Sequence, residues 1–172
     1  QGRIEMLDGT TRTELVRLDH DAVYIGGCDS TYLYGIMRSQ QGEEPTRWFR
    51  MERTTGQYET MPIPDTDHLC GVWNNQLVLF RERCSEPFAS DKISDYSLAG
   101  SYSSRFQNTS YDVVLYDPVT AQSRRLYSLN ENSGSFTHAA LYGDSLYLNT
   151  SIWENPDDTP FNAIRLNLRN GE

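Results

Sequence analysis

Long apolar runs are missing from this 172-residue chain. None approaches the roughly 18 residues that a membrane-crossing helix needs, which excludes a helical span. Positive charge is scarce as well: 15 Lys and Arg face 24 Asp and Glu, for a formal charge of −9 and a pI near 4.8. Holding DNA or RNA by its phosphates requires surplus cations, so nucleic acid is excluded as a non-specific partner. There are only three cysteines, Cys28, Cys70 and Cys84, with no Cys-x-x-Cys and no paired histidines. That pattern builds neither a disulfide framework nor a zinc site. Cys70 lies in an apolar run and is expected to be a buried thiol. Helical periodicity is nearly absent too. No Gly-x-Ser-x-Gly elbow, phosphate-cradling loop, dinucleotide fingerprint or Asp-x-Asp-x-Asp-Gly calcium loop occurs. No cofactor is therefore predicted, no metal ligand is assigned, and no residue is assigned a catalytic role.

What is present is a succession of short alternating apolar segments, punctuated by Gly, Asn, Asp and Pro, which predicts an all-β chain. Aromatic residues reach 12%, led by 11 Tyr, so the composition is that of an ordered chain. Ile25-Gly26-Gly27-Cys28 has the outline of a lipoprotein cleavage site, but the charged stretch before it is incompatible with a signal segment. The sequence begins at Gln1 and reads as an excised or processed piece.

Internal similarity organises the chain. Leu69 to Leu79 can be laid over His138 to Leu148, with a looser copy from Asp21 to Tyr34. Each reads as strand, tight turn, strand; Asn74-Asn75 and Gly143-Asp144 suit the positive φ of two-residue hairpins. A second hairpin follows each in whole or in part, turning at Thr55, Thr120 and Asn170, and a lone hairpin turns at Thr10. Four antiparallel strands per roughly 40–50 residues is the pattern of a propeller blade. The turns Asp117-Pro118-Val119-Thr120-Ala121-Gln122 and Arg53-Thr54-Thr55-Gly56-Gln57 resemble the outer-hairpin turn of divergent bacterial extracytoplasmic β-propeller repeat proteins. The Trp-Asp, Gly-His and sialidase-box signatures of other propellers are missing.

The resemblance implies a single segment over residues 1–172 of about three four-stranded antiparallel blades. Residues 1–18 form the outer hairpin of a preceding blade, and 19–63 form one blade. Residues 64–129 form another blade with an insertion at 84–111, and 130–172 form an incomplete one. Such a segment is expected to belong to a larger ring or to be completed by a second copy as a homodimer. It implies an extracellular or cell-surface location in a bacterium.

In a blade, successive connections fall alternately on two opposite faces. The long ones, 38–47, 64–68, 84–111, 130–137 and 153–161, all fall on one of them. Loops on a rigid scaffold are the usual seat of binding residues. With the approach to the first blade included, that face carries thirteen acids and only four bases, so it is predicted to be acidic. Either this charge attracts a basic partner or a cation, or it serves solubility. The insertion carries Tyr96, Tyr102 and Phe106, which either stack on a sugar or peptide or pin the loop to its blade. His20 and His68 occupy matching places, in Asp19-His20-Asp21 and Asp67-His68-Leu69.

The candidate ligand-binding set is thus His20, His68, Asp67, Tyr96, Tyr102 and Phe106. The function expected is non-catalytic: a propeller module that binds an unidentified protein or carbohydrate through the acidic, loop-rich face. One alternative is a carbohydrate-active lyase or hydrolase with a channel metal held by His20, His68 and His138. Another is a scaffold for a neighbouring catalytic domain.

Overall fold

The computed structural model describes residues 2–18, 22–38, 46–64, 67–84, 109–129, 135–151 and 161–172. Among them thirteen strands form four antiparallel sheets, and no helix occurs. The all-β expectation is met. β1 (Gly2–Asp8) and β2 (Thr11–Leu18) form a hairpin. β3 (Ala22–Cys28), β4 (Tyr32–Arg38), β5 (Arg47–Glu52) and β6 (Tyr58–Met61) form a four-stranded meander in chain order. β7 (Asp67–Trp73), β8 (Gln76–Cys84), β9 (Thr109–Asp117) and β10 (Gln122–Leu129) form a second. β11 (Ser135–Tyr142), β12 (Ser145–Ser151) and β13 (Phe161–Asn167) form a three-stranded sheet. The chain divides into two compact units, Gln1–Leu79 with Tyr116–Ser123, and Phe80–Leu115 with Arg124–Glu172.

In the first unit the register explains which residues face the core. Strand side chains alternate between faces, and the pairing Gly35↔Phe49, Leu33↔Met51 and Val23↔Met37 puts one set on a common face. That face closes against the β1–β2 hairpin: Ile4, Met37, Phe49 and Met51 are buried together, with Leu15 and Val16 of β2 packed on them. In the second unit Leu146 and Leu148 of β12 and Leu166 of β13 are buried, as are Val113 and Leu115 of β9.

Burial also differs between sheets. Leu77, Val78, Leu79 and Phe80 are successive residues of β8 and all are fully buried, so both faces of their sheet are covered there. The same holds for Val113 to Tyr116 of β9. In β12, by contrast, Leu146 and Leu148 are buried while Tyr147 between them stays 42% exposed, so one face of that sheet is open.

The tight turns carry the local chemistry. Asn74 and Asn75 both have positive φ, as a two-residue hairpin of this kind requires. In the second such turn Gly143 alone has positive φ, the arrangement that needs glycine only at its first central position. Three longer turns share one pattern: Gly56 N–H donates to Glu52 O, Ala121 N–H to Asp117 O and Gly171 N–H to Asn167 O, at 2.8–2.9 Å. The donor has positive φ in each. Asp117 Oδ1 accepts from Val119 N, and Asn167 Oδ1 accepts from Arg169 N, so the leading Asp or Asn closes its own turn. β9 begins at Thr109, so Tyr111, read from sequence as part of the insertion, is a strand residue. Its ring stacks on Phe80 at 4.8 Å.

The β3–β4 turn is organised by Asp29, whose carboxylate accepts from the N–H groups of Thr31 and Tyr32 and from the Tyr34 hydroxyl, each at 2.7 Å. Burial raises the Asp29 pKa, but the Tyr32, Tyr34 and Thr31 donors and the Arg53 charge outweigh it and hold the group below its ordinary value of 3.8. A depressed carboxylate contributes stability that is present above the unfolded-state pKa and lost as pH falls through the folded one. Asp29→Asn is therefore expected to be less stable than wild type near neutrality, with the gap narrowing below about pH 4. Urea midpoints at about pH 7 and pH 2.5 measure this; a gap independent of pH would refute the assignment.

Candidate functional site

Two of the predicted binding residues come together in the first unit. The register aligns Tyr24, Ile36 and Trp48 in a row across β3, β4 and β5, on the sheet face opposite the Phe49 core. β7 lies against β3 beside this row. Together they enclose a pocket of about 180 Å³, bordered by the row, by Thr46 and by Asp67, His68 and Leu69 of β7. The approach of β7 depends on an absent side chain. A Cβ on Gly26 would sit 2.7 Å from Leu69 Cδ2 and 3.3 Å from its Cβ, so Leu69 packs directly on bare backbone there.

The pocket occupies one end of the sheet. Tyr24, Trp48 and Asp67 lie near the starts of their strands and Ile36 near the end of β4. This is the end served by the connections 39–45 and 62–66, the face expected from sequence to hold the binding loops. The opposite end is closed by short turns: Arg53 N donates to Thr31 O at 2.9 Å and Arg53 Nη1 to Asp29 O at 3.0 Å. Arg50, in the same face as Trp48, sits 5.1 Å above the Tyr32 ring, pairs with Glu59 and donates to Pro118 O. Its charge is thereby consumed within the fold.

The pocket walls are pre-set by hydrogen bonds. Pro64 O accepts from Trp48 Nε1 and from Asp67 N, both at 3.1 Å, which ties the start of β7 to β5 and fixes the indole. Asp67 is 3% exposed, whereas His68 is exposed. The alternation of β7 puts Asp67 on the face of Leu69, toward the pocket, and His68 on the other face at the rim. Among the described residues Asp67 thus supplies the only carboxylate in the lining, and no Lys or Arg borders it. Three residues on from Asp67, burial pushes the Cys70 thiol up to about 12, so it stays protonated and is a poor nucleophile at neutral pH. Cys70 is partly buried and Cys28 exposed, and both are free thiols. The site offers the exposed Tyr24 ring beside a small, half-open cleft, with one carboxylate that is buried and already engaged.

His20, Tyr96, Tyr102 and Phe106 lie outside the described residues. His138 pairs with Asn149 in the β11–β12 register, and its side chain is outside the described set. Among the described residues no three His, Cys, Asp or Glu side chains gather in a way that would hold a metal ion. Sequence reading overlooked Tyr24, Ile36 and Trp48. The available signal was Gly26 and Gly35 inside apolar strands, which marks a close approach of another segment. The chain matches no protein-family model, no curated protein and no solved structure.

Proposed function

We propose that this chain is a β-propeller segment acting as a non-catalytic binding module of a bacterial surface or secreted protein, with its ligand seated at the loop-bearing end. The observation that carries this reading is the pocket, in which the row of Tyr24, Ile36 and Trp48 is bordered by Asp67 and Leu69 at the end of the sheet where the longer connections join. Consecutive four-stranded meanders and a shared turn pattern support the blade assignment. Exposed side chains support a ring continued by further blades or a second copy: Met6 and Leu7 of β1 and Tyr147 of β12 are exposed large side chains of the kind that another sheet covers.

The pocket is below the roughly 300–1,000 Å³ of sites for drug-sized molecules. It accommodates one sugar ring or one amino-acid side chain. Backbone-resolved NMR titration with a panel of methyl glycosides and N-acetyl amino-acid amides tests the reading. Binders are expected to shift Ile36, Trp48 and Leu69 amides first, and Tyr24→Ala is expected to weaken binding severalfold. A panel that leaves those amides unmoved refutes the pocket as the ligand site.

A further inference from the structure

The β11–β13 sheet repeats the β3–β6 meander up to its edge. In the meander, Tyr34, Arg50 and Glu59 stand side by side across β4, β5 and β6, and Arg50 pairs with Glu59. Across β12 and β13, Tyr147 faces Arg165 in the same way. Each arginine lies two residues before the residue that leads its turn, Glu52 or Asn167. Each turn then opens its next ladder with one bond: Glu52 N donates to Gln57 O at 2.8 Å, and Asn167 N to Glu172 O at 2.6 Å. Gly56 and Gly171 close the two turns at positive φ, each tight against the backbone oxygen of another outer strand, Leu15 O or Leu126 O. The difference is that Arg50 has β6 beside it, whereas β13 is an edge strand of its sheet. We propose that this edge takes an extended segment of another protein as a fourth strand, with a carboxylate set against Arg165. The edge belongs to the second unit and shares no residue with the pocket.

Backbone and charge both suit such a strand. Hydrogen-bonding direction alternates along a strand, and Asn167 N already points outward. Arg165 and Ala163 therefore turn their N–H and C=O groups to the open side as well. The Arg165 side chain is exposed, and Nε donates to the neutral Ser145 Oγ at 3.2 Å. Its terminal nitrogens have no partner among the described residues. A carboxylate makes a stronger, bidentate pair with guanidinium and displaces the hydroxyl. The residues on either side of that carboxylate lie on the face of Ile164 and the buried Leu166, where apolar groups are favoured. Strand addition takes its affinity from main-chain bonds and its specificity from alternate side chains. The partner is therefore an extended segment with an acid between apolar or β-branched residues, the pattern of Tyr58-Glu59-Thr60. β13 itself, Phe161–Asn167, contains no acid, so the same strand of a second copy does not complete the pair.

The test uses the folded chain and a peptide of the β6 sequence, Gln57–Pro62, followed by amide shifts and hydrogen exchange at low salt. The peptide is expected to protect the Arg165 and Ala163 amides. Glu59→Gln in the peptide is expected to weaken binding severalfold, the size of one cross-strand charge pair, and Glu59→Lys to weaken it further. Arg165→Glu in the protein is expected to reverse that order, so that the Glu59→Lys peptide binds best. A peptide methylated at the Glu59 nitrogen, which cannot join the ladder, is expected not to bind. Equal binding of the three peptides overturns the proposal. So does binding that leaves the Arg165 and Ala163 amides unprotected, or no binding at several millimolar peptide. Sedimentation of the chain alone covers the other occupant: a dimer that the peptide dissociates assigns the edge to a second copy and overturns the separate partner.

Discussion

Gly56→Ala is expected to destabilise the first unit by about 2–5 kcal/mol, lowering its urea midpoint and detaching the β1–β2 hairpin. Gly56 closes the β5–β6 turn at φ +72, where a side chain costs about 1–2 kcal/mol. The larger obstacle is tertiary. A Cβ there would lie 2.3 Å from Leu15 O, an atom of the β2 backbone that cannot swing aside. Overpacking of this kind costs typically about 1–3 kcal/mol. The two contributions are separable within the molecule, because Ala121 holds the matching turn position at φ +57, exposed to solvent. Ala121→Gly is expected to change stability by less than about 1 kcal/mol, since relief of backbone strain opposes the added unfolded-state entropy. Amide exchange should show the Gly56→Ala loss concentrated in β1 and β2. An alanine at 56 tolerated as readily as the native one at 121 would mean that the hairpin does not rest on this turn.

Phe49→Ala is expected to cost about 3–5 kcal/mol, the usual range for emptying a fully buried aromatic site. Phe49 has no exposed surface and packs with Ile4, Met37 and Met51. Its ring meets Tyr58 edge-on, with centroids 6.4 Å apart and planes at 82°. The opposite strand makes room for it: a Cβ on Gly35 would stand 2.9 Å from Phe49 Cε1 and 2.3 Å from Tyr24 O. A smaller residue at 49 therefore cannot make alanine at 35 acceptable, because the nearer obstacle is backbone. Phe49→Leu keeps most of the volume and should cost less than about 2 kcal/mol. Since Phe49 and Trp48 face opposite sides of β5, Phe49→Leu should leave ligand shifts at Trp48 intact while lowering the denaturant midpoint. A loss of binding at full folding would show that the two faces are coupled.

Strand positions were legible because alternation and turn chemistry are local. Asn74-Asn75 announces a hairpin by its tolerance of positive φ, and Asp117 announces a turn by the bonds its carboxylate makes two and three residues on. The candidate site was legible only in part. Asp67 and His68 were singled out by their place before an apolar strand, and both border the pocket. They are neighbours in the chain, but strand geometry sends neighbours to opposite faces, so Asp67 is buried while His68 is exposed.

By itself the sequence determined the all-β class and the positions of the tight turns, since each depends on residues within a few positions of one another. Only the tertiary structure decided that Tyr24, Ile36 and Trp48 stand in one row and that Leu69 closes upon Gly26. Cross-strand register and the approach of β7 to β3 are set by side-chain volumes far apart in the chain. No local pattern of residues encodes that fit.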